Sequence, residues 1–204
     1  ANAPAALYQA AAALTKAGQE KKAAAVLDKL LKLYPAAPLA KNGLLRRGAL
    51  CNDLEKPEEA LKHFTAFLKK YPADPLGYVA RYGAGRALEA TGRKDEAAKM
   101  YAAVIEKRKG PVAAECQYRI GMILASRGAY EDAVKELVST YSVYDYPEWS
   151  SKALLACGRA YEAMEKRDKA VKSYKMCVKK YPKTPAAAAA TKSLKTLGEW
   201  PILD

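Results

Sequence analysis

The side chains that could carry chemistry are few and scattered. His63 is the only imidazole in 204 residues. It lies mid-way along a second helix beside Phe64 and reads as a core-edge or surface histidine rather than a general base, and a single imidazole does not favour a zinc site. The four cysteines, Cys51, Cys116, Cys157 and Cys177, show no CxxC spacing, which removes the common thiolate metal clamp and redox pair. Gly83-Ala84-Gly85 begins like a dinucleotide-binding loop. It lacks the third glycine and the preceding strand, and reads instead as close packing of a helix. No P-loop and no HExxH occurs. The sequence thus predicts no catalytic residues, no metal and no cofactor: a protein that binds rather than reacts.

The elements that would position any functional residue are helical. Half of the residues are hydrophobic, and much of that share is alanine, which favours helices and close backbone approach. The two Phe and two Trp are outnumbered by 14 Tyr. No apolar run is long enough to predict a membrane-spanning helix. The first residues, Ala1-Asn2-Ala3-Pro4, hold neither Met nor a basic, apolar signal segment, which reads as a processed chain or an excised part of a longer one. The net charge of +13 points to acidic partners, an anionic surface or nucleic acid, depending on where the charges sit.

One pattern organises the whole chain. Alanines recur at Ala23, Ala60, Ala97, Ala133 and Ala170, each followed four residues on by Leu27, Phe64, Tyr101, Leu137 or Tyr174. Twelve residues before each stands a small residue: Ala11, Gly48, Gly85, Gly121 or Gly158. Nine before stands Leu14, Cys51, Leu88, Leu124 or Tyr161, and twelve after, in three copies, Pro35, Pro72 or Pro182. Small residues let two antiparallel helices touch backbones, and the bulky residue one turn later fills the groove beside them. Gly18, Gly92 and Gly128 fall where one helix must stop and the chain reverse. Pro57 suits the first turn of a second helix, while Pro35, Pro72 and Pro182 end second helices.

This arrangement of small, bulky, small, aromatic and proline residues resembles the tetratricopeptide repeat, from about residue 4 to 184. The resemblance implies an all-α, right-handed superhelical solenoid of five helical hairpins, about 4–38, 41–75, 78–111, 114–148 and 151–184. A capping helix over about 185–197, stopped by Gly198 and Pro201, would complete a single domain of residues 1–198, leaving a C-terminal tail of 199–204. The joints Tyr34-Pro35-Ala36-Ala37-Pro38, Tyr71-Pro72-Ala73-Asp74-Pro75 and Tyr181-Pro182-Lys183-Thr184-Pro185 look like those of bacterial envelope proteins, such as the Tol-Pal coordinator and outer-membrane assembly lipoproteins. They favour a periplasmic or envelope location over the cytoplasm. The cysteines fall on core positions of such repeats and read as buried free thiols. A Cys157–Cys177 disulfide between facing helices of one hairpin is the alternative.

In such a solenoid the first helix of each hairpin lines a concave face that holds peptides or partner helices. The matching positions bring forward Tyr8, Asn42, Arg46, Tyr82, Arg86, Tyr118, Arg119, Met122, Lys152 and Arg159. Tyrosine offers large contact area at small entropic cost, and arginine grips carboxylates bidentately. The predicted partner is another protein or peptide, acidic in character. The sites that clamp a dicarboxylate tail in co-chaperones hold Tyr8, Ala12, Leu45 and Ala49 here, so no chaperone-tail receptor is expected.

Much of the charge has a structural reading. Glu58, Glu59, Asp95, Glu96, Glu131, Asp132 and Asp168 open second helices. Lys32, Lys69, Lys70, Lys107, Arg108, Lys109, Lys179 and Lys180 stand where those helices end. Both placements complement the helix macrodipole. Residues 150–185, however, carry ten Lys or Arg against three Asp or Glu. This gives a second reading, a basic electrostatic tether for an anionic polymer, a membrane surface met peripherally, or nucleic acid. A nucleic-acid partner is not expected, since the chain holds no Arg-rich arm and no recognition motif.

Overall fold

The computed structural model describes residues 2–199, and these form eleven α-helices with no strand. The tail residues 200–204, including Pro201, lie outside the described residues. The chain divides into two compact units, Ala1–Ala103 and Val104–Asp204.

The first unit holds α1 (Ala3–Lys16), α2 (Glu20–Leu33), α3 (Ala40–Asp53), α4 (Pro57–Lys70), α5 (Gly77–Ala90) and most of α6 (Lys94–Ile105). The turns within pairs are three residues long, so paired helices run antiparallel. Helix α2 also packs on α3 and α4 on α5, and α3 touches α5 directly. Phe64 of α4 shows why small residues are needed. A methyl group on Gly48 would lie 2.8 Å from its ring, and one on Gly83 of α5 would collide with the same ring. The other glycine of that pair, Gly85, faces the ring of Tyr101 on α6. The Gly-Ala-Gly string is therefore a double docking surface for two aromatic rings.

The second unit begins at Val104, inside α6, and holds α7 (Pro111–Ala125), α8 (Tyr130–Val143), α9 (Pro147–Ala163), α10 (Arg167–Lys180) and α11 (Pro185–Thr196). Gly121 sits under Leu137 and Gly158 under Tyr174. Helix α11 packs on both α9 and α10, where Ala186, Ala187, Ala190 and Leu194 are buried with Tyr174 and Cys177. Its N-cap is Thr184, whose hydroxyl accepts from the Ala187 N–H at 3.2 Å.

Two first helices start earlier than the repeat spacing predicts. Helix α7 begins at Pro111 rather than 114, and α9 at Pro147 rather than 151. These prolines open helices, whereas Pro35, Pro72 and Pro182 follow them. At the first helical position the missing N–H costs nothing and the fixed φ already fits. The preceding residue is pushed out of the helical region: Tyr146 is extended, at φ −90° and ψ 116°. For the same reason Lys107, Arg108 and Lys109 lie beyond α6, in the connection to α7, rather than on a last helical turn.

The turns inside the pairs share one closure. The N–H of Gln19, Lys56, Arg93, Ala129 and Lys166 bonds the carbonyl five residues back, on Leu14, Cys51, Leu88, Leu124 and Tyr161, at 2.8–3.1 Å. These acceptors are the bulky positions of the repeat. The bond requires a left-handed residue just before the donor. Gly18, Gly92 and Gly128 supply it in three turns, but Glu55 (φ 56°) and Glu165 (φ 58°) supply it in the others.

All four cysteines are free and buried. Cys157 packs with Val134 and Leu137 of α8. Cys177 packs with the α11 alanines and donates to the Ser151 carbonyl at 3.4 Å. The two thiols thus belong to different clusters and form no bridge. Burial pushes Cys116 and Cys157 up to about 12 and Cys177 up to about 11.

Two predictions follow from the turns and the thiols. Glu165→Gly raises stability by about 1 kcal/mol, the approximate cost of the left-handed conformation for a residue with a Cβ. Denaturant unfolding checks it, and an unchanged midpoint would contradict the strain. A thiol titration in denaturant returns four groups, with slow reaction in the native state because the thiolate is scarce. A count of two would mean that a bridge exists.

Candidate functional site

The first helices present their outward positions on two separate stretches. In the first unit, the Arg46 guanidinium lies over the Tyr8 ring, 5.4 Å from its centroid. Asn42, one turn before Arg46 on α3, is half-buried, and its side-chain oxygen is buried without a partner. On α5, the Tyr82 ring lies 6.4 Å from that of Tyr101. Arg86, one turn on, is exposed and makes no ion pair among the described residues. It lines a shallow depression with Asn52, Glu55, Pro57 and Ala90. Asn52 donates to the Gly83 carbonyl at 3.0 Å, which ties α3 to α5 beneath that depression.

In the second unit the same kind of face forms a better-defined cavity, of about 280 Å³. Tyr118, Met122 and Ala125 reach it from α7 at the spacing of one helix face. Lys152, Leu155, Ala156, Arg159, Ala160 and Ala163 reach it from α9, and Tyr130 closes it from the first turn of α8. Its floor is apolar and includes Met122, which is 36 % exposed. Trp149 does not line the cavity but touches two residues that do: its ring lies 5.7 Å from that of Tyr118, and the Lys152 ammonium sits 4.2 Å from its centroid. Lys152 also pairs with Glu148 at 2.7 Å. Arg159 is exposed and makes no ion pair among the described residues, so its guanidinium can meet a ligand carboxylate without first breaking a pair.

The structure therefore brings Tyr118, Met122, Lys152 and Arg159 together around one cavity. Arg119 does not join them; it is half-buried and bonds Glu115 one turn back on its own helix at 2.8 Å. Trp149 and Tyr130 are additions that the sequence reading missed. Starting the fifth hairpin at 151 left Trp149 in a joint, while Pro147 at a helix start was the signal that would have recovered it.

A second recurring contact supports the site from behind. The Tyr101 hydroxyl donates to Glu89 at 2.9 Å, and the Tyr174 hydroxyl donates to Glu162. Glu89 and Glu162 each lie four residues after the small glycine of their first helix. Where the second-helix residue has no hydroxyl (Leu27, Phe64, Leu137), that place holds Thr15, Asn52 or Ala125 instead. Burial, then Glu162, pushes the Tyr174 phenol above its usual range, so it stays a donor. His63 on α4 is half-buried, and burial followed by Arg47 holds it below the usual imidazole range; it takes no part in either face.

Comparison with known proteins follows the same lines. Two family profiles, both described as tetratricopeptide repeat, match this sequence, one at residues 53–107 and 82–141, the other at 5–37 and 152–184. No curated protein matches it. Among solved structures, MamA is similar with a TM-score of 0.76 at 24% identity, over 89% of this chain and 93% of that one. A tetratricopeptide repeat protein from Parabacteroides merdae gives 0.79 at 16% identity, over 98% and 75%. YrrB, described as a TPR protein with an unusual peptide-binding site, gives 0.70 at 22% identity, over 91% and 90%. At such identities the likeness speaks for the fold, an all-helical repeat solenoid. With the repeat matches spread over most of its length, the chain belongs to the tetratricopeptide repeat family.

Proposed function

We propose that this protein is a non-catalytic interaction scaffold that holds an extended, acidic segment of a partner protein against its first helices. The observation that carries the reading is the cavity of the second unit: an apolar floor around Met122, tyrosine walls, and the Lys152 and Arg159 cations one above the other on α9. An apolar side chain of the ligand fits the floor, and a carboxylate beside it meets Arg159, the stronger bidentate donor of the two. Lys152, already shared between Glu148 and the Trp149 ring, contributes mainly by excluding a second cation.

The first unit supports the same reading with a different group: Arg86 is exposed and makes no ion pair among the described residues, so it can meet a second carboxylate of the ligand. That YrrB is described as binding peptide agrees with the class of ligand. An envelope or periplasmic setting, suggested by the Tyr-Pro-x-x-Pro joints, belongs to the same proposal.

Selection from a random peptide display library tests it. Enriched peptides are expected to carry Asp or Glu next to a bulky apolar residue, and Arg159→Glu to weaken them about tenfold, near 1.4 kcal/mol. Lys62→Glu, on the outer side of α4, should leave affinity unchanged. Enrichment of basic or purely apolar peptides, or equal losses from both variants, would refute the groove.

A further inference from the structure

Helix α10 differs from every other second helix in its charge. It carries Arg167, Lys169, Lys172, Lys175, Lys179 and Lys180 against Asp168 alone, whereas α8 carries Lys135 against Glu131, Asp132 and Glu136. The helix macrodipole accounts for Lys179 and Lys180 in the last turn. It opposes Lys169, which stands in the first turn at the positive end of the dipole. Arg167 is held by the Leu197 carbonyl at 2.6 Å and by Glu199, and Lys175 by Glu199 at 2.9 Å. Lys169, Lys172, Lys179, Lys180 and Lys183 are exposed, with no ion pair among the described residues.

These unpaired lysines are not scattered around the helix. Lys169, Lys172 and Lys179 fall on one face of α10, at spacings of three and seven residues, with the partly buried Met176 between the last two; Lys183 lies beyond the end of the helix at Lys180. At the helical rise, Lys169 to Lys179 span about 15 Å. Like charges at these spacings repel one another; the Tyr161 ring, 5.8 Å from the Lys169 ammonium, and the negative end of the helix at Lys179 offset only part of that repulsion, and among the described residues no acid pairs with these lysines. A structural role would have interleaved acids, as the other second helices do.

We propose that this stripe is a docking surface for an anionic lipid bilayer, approached from the side of the molecule opposite to α10's buried contacts with α9 and α11. The chemistry selects among polyanions. The stripe has no arginine to read base edges. The aromatic rings of this segment, Tyr174 and Tyr181, are 0 % and 9 % exposed, leaving no platform on which unpaired bases could stack. Lysine ammoniums on one helix face match a flat field of headgroup phosphates, which needs charge and no register. The contact is peripheral: the apolar side of α10 is already used in the core, and among the described residues no helix is long and apolar enough to cross a membrane.

Cosedimentation of the full chain with phosphatidylcholine vesicles containing phosphatidylglycerol, against pure phosphatidylcholine, tests the assignment. Each lysine removed from the stripe is expected to cost roughly fivefold. Lys169→Gln, Lys172→Gln and Lys179→Gln combined should therefore weaken binding about a hundredfold, while glutamine preserves helix propensity. A second triple variant, Lys22→Gln, Lys29→Gln and Lys62→Gln, removes the same charge elsewhere and should cost far less. Added salt should abolish binding as the Debye length shortens. Equal losses from the two triple variants would reduce the effect to net charge and overturn the stripe. Failure to bind the anionic vesicles, or tighter binding to duplex DNA or polyglutamate under the same salt, would overturn the lipid assignment.

Discussion

The architecture depends on a contact between a glycine backbone and a ring. Wherever a second helix drops Phe64, Tyr101 or Tyr174 onto a first helix, the residue beneath it is glycine, and a single methyl group there would overlap the ring. Interiors packed at crystalline density have no slack to absorb such an overlap. The close approach sets how near paired helices lie, and so how the next first helix seats. Phe64, gripped by Gly48 on one side and Gly83 on the other, carries the arrangement from one pair to the next. No disulfide substitutes for this, since all four cysteines are free, and among the described residues no group of three or more His, Cys, Asp or Glu could hold an ion.

This division of labour leaves the two kinds of helix with different freedoms. Second helices spend their small and aromatic positions on packing and keep charge for their outer sides. First helices are gripped along their glycine side and remain free on the other, which is where tyrosine, arginine and lysine collect. The cavity between α7 and α9 forms because Ala156, Ala160 and Ala163 are too small to fill the space that Tyr118 and Tyr130 hold open. The Tyr174–Glu162 bond locks the second helix under the floor of that cavity, so the recognition side chains stand on a rigid support.

The repeat was legible because its marks are steric and short-range. Small residues, bulky residues and terminating prolines recur at fixed offsets, and each states a local requirement. The errors came where one residue type serves two ends. Pro111 and Pro147 open helices, yet Pro35 and Pro72 follow them, and only the residues after each proline distinguish the cases. Arg119 was placed in the groove by register alone, although Glu115 one turn earlier announces an intrahelical pair. Glu55 and Glu165 in left-handed turns carry no sequence mark, since the turn is imposed by the packed helices on either side. The exposed stripe of α10 was visible as an excess of lysine, but its alignment became clear only once the helix bounds were known.

A double-mutant cycle in the second unit probes the ring-on-glycine contact most directly. Gly158→Ala should cost about 1–3 kcal/mol by overpacking. Tyr174→Leu should remove most of that cost in combination, because Ala11 opposite Leu27 shows that the smaller pair fits the same place. Denaturant unfolding is therefore expected to return a favourable coupling of about 1 kcal/mol or more. Strictly additive losses would mean that glycine and ring do not bear on one another, and the account of how these helices pair would fail.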